Sequence, residues 1–483
     1  MSGAKKTVIA VDLGAESGRV MAVAYTGSTL QIQELQRFPN IPVAARGVTY
    51  WDMLRLWRDI QDGIAKGRAL DPASIGVDAW GVDFGLLDRT GALLGNPVHY
   101  RDRRTDGMME HVFARVPRAE VFAQTGIQFM PINTLYQIMS LVAADAPQLQ
   151  LAETFLTIPD LLNYWLTGAR VCEFTNATTT QLFNPRSGAW ATDLMDALGI
   201  PARIFPSIVQ PGTRLGAYEG IPVIAVACHD TGSAVAAVPT QTPSYAYISS
   251  GTWSLVGLET IQPIITPAAL EANVTNEGGV GGTNRLLKNV MGLWIVQQCR
   301  ATWAAAGHSY TYAELMQLAQ QAPALESCIP PDDPRFLPPG DHPRLVRQLC
   351  AECGVTVPQS HGAIVRCVLE SLALAYRSVL DTLRALADQP IDAIHIIGGG
   401  VQNELLCQMT ANATGLPVLA GPVEATVLGN AVIQLMALGE LADIREARQL
   451  VATMAAPRRY EPQDADAWQA AYQRYQQIGS GRS

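Results

Sequence analysis

The N-terminal region lacks the long apolar run of a secretory signal or a membrane span. Two lysines precede an apolar stretch, but Asp12, Glu16 and Arg19 interrupt it within a few residues. A signal peptide needs an apolar core of about 7–15 residues and a membrane-spanning helix needs about 20, so the segment fits neither. We therefore expect a cytoplasmic protein with no membrane partner.

The chain also lacks a basic block and a complete set of metal-binding cysteines. It has 34 Lys and Arg residues against 43 Asp and Glu, for a net charge of −9, so a nucleic-acid partner is not expected. The one Cys-x-x-Cys pair, Cys350 and Cys353, has no second pair with which to bind zinc. We expect reduced, structural thiols, and the loop between Cys350 and Cys367 leaves open whether these two lie side by side.

Short β-branched runs alternate with longer segments of helical periodicity, which is typical of α/β proteins. The predicted strands include 7–11, 75–77, 223–227 and 394–397. A length of 483 residues corresponds to about two or three domains. The sequence therefore predicts an α/β protein with more than one domain.

Two segments of the chain are similar to each other. VIAVDLGAESGRVMAVA near the N-terminus and AYISSGTWSLVGLE near the middle both read as a strand, a turn of glycine and hydroxyl residues, and a second strand. A constant offset relates three pairs: Asp12 with Ser249, Gly14 with Gly251, and Ser17 with Ser254. This predicts two similar halves that meet near residues 236–244, and the alternative is a coincidence between two short hairpins.

The first of these turns has groups that bind a nucleotide phosphate. Gly14 and Gly18 allow close approach of the backbone, Ser17 adds a hydroxyl group, and Arg19 adds a permanent charge. Asp12 is placed to face a hydrated Mg²⁺ ion. The chain has neither a GxxxxGK[ST] sequence nor an HRD catalytic loop, so we predict a site of paired hairpins rather than a P-loop or a protein-kinase site.

Two further segments complete the predicted nucleotide site. The second turn, 249–254, offers Gly251 with the hydroxyl groups of Ser250 and Thr252. Three consecutive glycines, 398–400, follow the strand sequence IDAIHII. They favour the close approach of an adenosine group, although a tight strand-to-helix turn would also explain them.

An acid-base candidate follows the predicted strand 223–227. Cys228, His229, Asp230 and Thr231 stand between this strand and a helical run of alanine and valine, and such strand ends are where α/β sheets place ligands. Asp230 would accept the proton of an alcohol during phosphoryl transfer. The alternative is that Asp230 only caps the helix.

Two segments combine polar and aromatic residues in the way that sugar-binding sites do. The first is SIGVDAWGVDFGLLD, which contains Asp78, Trp80, Gly81 and Asp83, and the second is HYRDRR at 99–104. The charges of the second segment are also typical of an ordinary protein surface.

Motifs along most of the chain resemble those of the FGGY carbohydrate kinases. They occur in the family's order from about residue 7 to about residue 454 and include VDLGAESGR, SIGVDAWGVDFGLLD, PVHYRDRRT, FTNATTTQLFNPRSGAW, HDTGSAV, SSGTWSL, VTNEGG, LKNVMGLW, IIGGGVQN and GPVEATVLGN. The resemblance implies an actin-like (ribonuclease-H-like) fold of two domains, with ATP and sugar in an interdomain cleft. The expected ranges are 1–240 for the N-terminal domain, 241–456 for the C-terminal domain and 457–483 for a C-terminal tail.

The resemblance also implies roles for individual residues, with Asp230 as the proton acceptor. The implied nucleotide contacts are Ala15, Glu16, Ser17, Gly18, Arg19, Thr252, Gln297 and Gly400, and the implied sugar contacts are Gly81, His229, Thr231 and Asn289. Glu16 stands where many kinases of this superfamily carry a hydroxyl residue, so the contact of that side chain is open. Cys228, which precedes His229 and Asp230, stands where the family often has a smaller or more polar residue.

Within the family, the motifs are most similar to those of the kinases that act on L-rhamnulose. The implied reaction is transfer of phosphate from ATP, with Mg²⁺, to the 1-hydroxyl group of L-rhamnulose in rhamnose catabolism. L-Fuculose or another ketose is an alternative substrate, and a non-catalytic sugar sensor is an alternative of another class. The expected partners are the small-molecule ketose and ATP, and the expected assembly is a monomer or a small homo-oligomer.

Overall fold

The computed structural model describes residues 6–454 and 457–480. Its strands, numbered in chain order, are β1 Lys6–Leu13, β2 Ser17–Tyr25, β3 Leu30–Pro39, β4 Val43–Ala45, β5 Val48–Tyr50, β6 Ser74–Ala79, β7 Phe84–Leu87, β8 Thr154–Thr157, β9 Cys172–Glu173, β10 Phe183–Asn184, β11 Ala189–Trp190, β12 Ile208–Val209, β13 Arg214–Tyr218, β14 Ile221–Ile224, β15 Tyr245–Ser250, β16 Trp253–Thr260, β17 Thr275–Gly278, β18 Asn284–Met291, β19 Ala393–Ile397, β20 Val418–Ala420 and β21 Arg458–Tyr460.

The helices are numbered in the same way. They are α1 Met53–Gly67, α2 Met108–Phe113, α3 Arg118–Thr125, α4 Thr134–Ala143, α5 Pro147–Leu151, α6 Ile158–Thr167, α7 Phe174–Ala177, α8 Thr192–Leu198, α9 Asp230–Ala236, α10 Pro267–Ala272, α11 Trp294–Ala305, α12 Tyr312–Gln321, α13 His342–Glu352, α14 His361–Ala387, α15 Glu404–Thr414, α16 Ala425–Ala437, α17 Ile444–Met454 and α18 Ala465–Ser480. Short 3₁₀ turns occupy Arg68–Leu70, Arg103–Thr105, Thr178–Thr180, Ala202–Ile204, Pro334–Phe336 and Gly399–Gln402. Among the described residues, no helix combines the length and the apolar character needed to cross a bilayer.

The chain forms two compact units that are discontinuous in sequence. The first unit comprises 1–241, 259–286 and 425–455, and the second comprises 242–258, 287–424 and 456–483. The ranges 1–240, 241–456 and 457–483 predicted from the sequence are contiguous, whereas these units are not. The segment beyond residue 457 contributes β21 and α18 to the second unit.

The first unit is built on a mixed sheet with the strand order β13-β14-β6-β1-β2-β3. β1 is antiparallel to β2 and parallel to β6, and β6 is parallel to β14. Nearly every side chain of β1 and every one of β6 is buried, as expected for central strands covered on both faces. The predicted strand 223–227 ends earlier, at Ile224, but the Ala79 N–H still donates to the Cys228 carbonyl oxygen at 2.9 Å.

Two helices from far along the sequence complete the core of the first unit. Apolar residues of α16 and α17 pack with those of β1 and β2 in one buried cluster, which includes Val8, Val23, Leu428, Val432 and Val451. α16 reads as nearly continuous apolar sequence and is buried almost throughout, because it lies between the sheet and other elements. This packing explains why 425–454 belongs to the first unit and not to the half with which it is contiguous.

The second unit repeats the central part of this sheet. β15 is antiparallel to β16 and parallel to β19, β19 is parallel to β20, and β21 pairs with β20 at the edge. The long helix α14 begins after Ser360, whose hydroxyl group accepts from the Ala363 N–H, a standard N-cap. The Sγ atoms of Cys350 on α13 and Cys367 on α14 are 3.8 Å apart, so these two thiols do lie side by side.

Candidate active site

The two hairpins that the sequence predicted are both present, but they differ in length. In the first, Leu13 and Gly18 are the last paired residues and the Gly14 N–H donates to the Ser17 carbonyl at 2.9 Å. In the second, Ser250 pairs with Ser254 and the Gly251 N–H donates to the Trp253 carbonyl at 2.8 Å. The second turn is thus one residue shorter. The predicted equivalence of Ser17 with Ser254 is wrong by one position, since Ser254 corresponds to Gly18.

The first turn is held by the chain that follows β3. Asn40 donates from its backbone N–H to the Glu16 carbonyl and from its side-chain Nδ2 to the Gly14 carbonyl, both at 2.9 Å. The Glu16 side chain is exposed. A Cβ atom on Gly18 would lie 2.3 Å from the Phe38 ring of β3, so packing against the neighbouring strand is by itself a reason for glycine there. Contact of Ala15 to Arg19 with phosphate stays a prediction.

Asp12 and Arg19 face each other across this hairpin. Arg19 Nε and Nη2 lie 3.0 and 2.7 Å from Asp12 Oδ2. Such a charge-assisted pair holds both side chains in place. The positive charge of Arg19, which the sequence predicted to bind phosphate, is therefore already paired with the Asp12 carboxylate.

A second carboxylate lies deeper than Asp12. Asp78, on the central strand β6, is fully buried and its Oδ2 accepts from Asn430 Nδ2 at 2.6 Å. Its Oδ1 has no hydrogen-bond partner within residues 6–454 and 457–480. Burial raises the pKa of Asp78 well above its usual value, and the charges of Asp12 and Asp230 raise it further, against the hydrogen bond from Asn430. Three carboxyl groups of the first unit are thus electrostatic neighbours.

The carboxylate oxygens of Asp12, Asp78 and Asp230 are suitable ligands for a hydrated Mg²⁺ ion. Mg²⁺ keeps several waters and is held in nucleotide sites by one or two carboxylates together with phosphate oxygens. Across the described ranges, no three His, Cys, Asp or Glu side chains form a direct metal cage. The unpartnered Asp78 oxygen and the neighbouring Asp12 and Asp230 carboxylates are the oxygen ligands that could hold such an ion, and a metal-facing role of Asp12 stays a prediction.

A buried network fixes the chain that leads into Asp230. Glu173 Oε2 accepts from the Cys228 N–H at 2.9 Å and from the Thr175 hydroxyl at 2.6 Å, and Thr175 Oγ1 accepts from the His229 N–H at 3.1 Å. Burial raises the pKa of Glu173 to about 8, although Thr175 and the Cys228 N–H favour the carboxylate. The backbone before Asp230 is thus held by two side chains: Thr175, which is in the short helix α7, and Glu173, which is the N-cap of that helix.

Asp230 is the first residue of α9 and follows the N-cap residue, His229, so Asp230 itself does not cap this helix. Its Oδ1 accepts from the N–H and the hydroxyl group of Thr231, and His229 Nε2 lies 3.4 Å from the same oxygen. No hydrogen bond engages Oδ2 in the part of the chain that the structure describes, and the side chain keeps 28% exposure. Burial raises the pKa of Asp230, opposed by His229 and assisted by Asp12. One fixed and one open oxygen suit a general base.

Gly81 and Val82 form a strained turn between β6 and β7. Val82 has a φ of 68°, which a β-branched residue rarely adopts. Its N–H donates to Thr179 Oγ1 at 3.2 Å and its carbonyl accepts from the Thr134 hydroxyl at 2.6 Å. Backbone strain that is overdetermined in this way concentrates at ligand sites. A Cβ atom on Gly81 would lie 3.0 Å from Thr179 Oγ1, so a side chain there would press on Thr179.

The predicted sugar-binding segment around Asp83 has mainly a structural role. Asp83 is fully buried and accepts from the indole N–H groups of Trp51 at 2.6 Å and Trp80 at 3.0 Å. Gln137 Nε2 donates to its other oxygen at 2.9 Å. Trp51 stacks on His99, with ring centroids 4.2 Å apart. The hydrogen-bonding groups of these side chains have partners within the protein. The polar and aromatic residues of the segment can therefore be explained without a bound ligand.

Four predicted residues lie in the second unit. Gln297, on α11, donates from Nε2 to Thr252 Oγ1 at 3.5 Å, and its buried Oε1 has no partner among the described residues. Asn289 lies on β18. A Cβ atom on Gly400 would lie 2.0 Å from Ser250 Oγ. Close packing on the end of β15 thus explains Gly400, and a φ of 83° explains Gly398, whereas a Cβ atom on Gly399 would meet nothing within 4 Å. An adenosine contact stays a prediction.

Comparison with known proteins agrees with this architecture. The model of the FGGY family of carbohydrate kinases matches residues 7–235 with its N-terminal domain and residues 246–438 with its C-terminal domain. The chain belongs to this family. It is 46% identical to a rhamnulokinase of Bacteroides thetaiotaomicron over 97% of this chain and 98% of that protein, and 45% identical to a rhamnulokinase of Pectobacterium atrosepticum over 98% and 97%.

Solved structures of FGGY-type sugar kinases share the fold. A xylulose kinase from Lactobacillus acidophilus has a TM-score of 0.81 at 19% identity, with 99% of this chain and 98% of that chain covered. The glycerol kinase of Plasmodium falciparum with ADP has a TM-score of 0.77 at 14% identity, with the same coverage. At this identity the likeness shows the two-domain FGGY kinase fold alone.

Sequence reasoning missed several residues that hold the site. Asn430 binds Asp78, Glu173 and Thr175 hold the chain before Asp230, and Glu277 and Arg285 adjoin His229. Asn430, Thr175 and Glu277 stand inside motifs that resemble the family, whereas Glu173 and Arg285 stand just outside them, and no local pattern marks the partner of any of the five. Only the fold brings them within bonding distance.

Thr175→Val should lower turnover more than it lowers stability. Valine keeps the shape but leaves the buried His229 N–H without an acceptor, at a cost of about 1–3 kcal/mol in the free energy of unfolding. We expect kcat to fall by about tenfold or more, because general-base catalysis depends on position. Thr180→Val is the matched control, since the Thr180 hydroxyl group also accepts from one N–H and donates one hydrogen bond, in this case to a backbone carbonyl. An equal loss of kcat in both variants would contradict the positioning role.

Proposed function

We propose that the chain phosphorylates L-rhamnulose with ATP to give L-rhamnulose 1-phosphate in L-rhamnose catabolism. The similarity to two rhamnulokinases over nearly their full lengths carries this proposal. The partly exposed carboxylate of Asp230, which stands at the start of α9 after strand β14, supports it. Because the reaction consumes ATP, we place it in the cytoplasm.

Asp230 is the proposed general base. Its open Oδ2 accepts the proton of the sugar 1-hydroxyl group while the sugar oxygen attacks the γ-phosphorus of ATP. A new oxygen–phosphorus bond forms, the bond to the ADP oxygen breaks, and ADP leaves. Thr231 and His229 hold Oδ1, so that the carboxylate keeps one orientation during the transfer.

The remaining predicted residues have binding roles in this proposal. Gly81, His229, Thr231 and Asn289 contact the ketose, and the nucleotide is bound by Ala15, Glu16, Ser17, Gly18, Arg19, Thr252, Gln297 and Gly400. The rigid Val82 turn and the unpartnered Oε1 of Gln297 support two of these assignments.

A ketose screen tests the substrate. ADP formation is measured with L-rhamnulose, L-fuculose, D-xylulose and D-ribulose at equal concentrations, and the product of the best substrate is identified by ³¹P and ¹³C NMR. We expect the highest kcat/KM for L-rhamnulose and phosphate on its carbon 1. A higher kcat/KM for L-fuculose would change the proposed substrate but not the proposed phosphoryl transfer. No ADP from any sugar would favour the non-catalytic sugar sensor.

Removal of Mg²⁺ should stop the reaction. Mg²⁺, when bound, offsets the charge of the triphosphate, and Asp12 would hold it through water together with its carboxylate neighbours. We expect exhaustive treatment with EDTA to lower turnover by at least about tenfold and added Mg²⁺ or Mn²⁺ to restore it. Full activity after chelation would remove Asp12 from any metal-facing role.

A further inference from the structure

A buried row of polar side chains in the first unit ends at Asp230. Arg285 is 0% exposed, Glu277 is 4% exposed and His229 is 7% exposed. Arg285 Nη2 lies 3.1 Å from Glu277 Oε2 and 3.1 Å from His229 Nδ1, and His229 Nε2 lies 3.4 Å from Asp230 Oδ1. Groups buried this deeply are costly unless they bond to one another.

The contacts of His229 Nδ1 decide where the ring carries its proton. A guanidinium group only donates hydrogen bonds, and Arg285 Nη2 has hydrogen-bond geometry toward Nδ1. Glu277 Oε2 is 3.3 Å from Nδ1 but forms no hydrogen bond in the described part of the chain. In the neutral ring, Nδ1 therefore accepts and the proton is on Nε2, the nitrogen that faces Asp230.

Arg285 is itself held firmly. Its Nε donates to the Gly278 carbonyl at 2.8 Å, and the Gly278 N–H donates to Thr178 Oγ1 at 2.8 Å. Glu277 compensates the buried positive charge. Burial alone would raise the pKa of Glu277, but this pKa is lowered, with the charge of the Arg285 guanidinium as the first cause that opposes burial. Arg285 thus presents a fixed donor to the imidazole ring.

We propose that Arg285 is a positioning residue that fixes the tautomer of His229, so that the Nε2–H group faces the Asp230 carboxylate. This inference rests on the proposed role of Asp230 as the base. With the other tautomer, a nitrogen lone pair would face Oδ1 and repel it. The ring would then turn away, or Asp230 would take up a proton and lose its function as acceptor.

The tautomer is read directly from the ¹⁵N chemical shifts of the His229 ring. The protein is labelled with ¹⁵N-histidine, the spectrum is recorded at a pH where the ring is neutral, and the signal is assigned with the variant His229→Gln. We expect the proton on Nε2 in the wild-type protein. A proton on Nδ1 would overturn the proposal, whatever the enzyme's activity.

Removal of the charge pair as a unit tests the cause. In the double variant Arg285→Met, Glu277→Leu, two apolar side chains of similar volume replace the buried pair, a change that is often neutral for stability. We expect a mixed or Nδ1-protonated ring and a fall in kcat of at least about tenfold, with the KM for ATP nearly unchanged. Arg285→Lys keeps a donor and should retain the Nε2 proton and most of kcat. A melting curve confirms that each variant folds.

The matched control removes another ion pair of the first unit. Arg448 and Glu259 are 2.7 Å apart and each side chain is 12% exposed, so Arg448→Met, Glu259→Leu controls for the loss of two largely covered charges. An unchanged His229 tautomer in the Arg285 double variant would contradict the proposal. If the tautomer changes as expected but no ketose is phosphorylated, the proposed function fails and the assignment of Arg285 stands.

Discussion

Asp230→Asn should abolish turnover while the protein stays folded. Asparagine keeps the shape and can still accept from Thr231 through Oδ1, but it has no second oxygen to take up a proton. General bases contribute about 10²–10⁴-fold to rate, and we expect a loss of kcat in that range. Binding of a non-hydrolysable ATP analogue, measured by calorimetry, should be little changed.

The control for Asp230→Asn is Asp193→Asn. Asp193 is also an acidic residue in the first turn of a helix of the first unit, α8, and it is exposed. Both variants lose a similar interaction with a helix N-terminus, worth about 0.3–1 kcal/mol. A loss of kcat below tenfold in Asp230→Asn would leave Asp230 with the role of a helix-terminal charge only.

Gly429→Ala should impair both stability and activity, although alanine is the better helix former. A Cβ atom on Gly429 of α16 would lie 1.7 Å from the Ser233 carbonyl oxygen and 2.4 Å from its carbon. These are backbone atoms of α9, which begins at Asp230, so neither helix can yield without moving the other. Overpacking of this kind costs about 1–3 kcal/mol or more, against a gain of about 0.5–1 kcal/mol from helix propensity.

Urea unfolding and kcat are measured on the same preparation of Gly429→Ala. We expect a lower midpoint and a kcat reduced by about tenfold or more, because α9 displaced by tenths of an ångström takes Asp230 with it. Gly95→Ala is the control, since a Cβ atom there meets nothing within 4 Å. A Gly429→Ala protein with wild-type stability and kcat would show that α9 and α16 can separate at no cost.

The sequence by itself determined the local features of this protein. β-Branched runs predicted the central strands β1, β6 and β19, because burial on both faces selects such residues. Glycine and hydroxyl residues predicted both hairpins, and a polar run after a strand indicated Asp230. These features depend on neighbouring residues only, so the local pattern contains them. The strand 223–227 ended three residues early because pairing with neighbouring strands sets that boundary.

Only the tertiary structure decided which distant segments meet. The nearly continuous apolar sequence of α16 indicates that this helix is buried but does not identify its partner, so its placement on β1 and β2 could not be predicted. The same packing brings Asn430 to Asp78, and the return of 259–286 to the first unit brings Arg285 to His229. The length of the second turn likewise depended on backbone pairing. Chemistry-bearing residues were visible in the sequence, whereas their supporting contacts arise from long-range packing that no local pattern encodes.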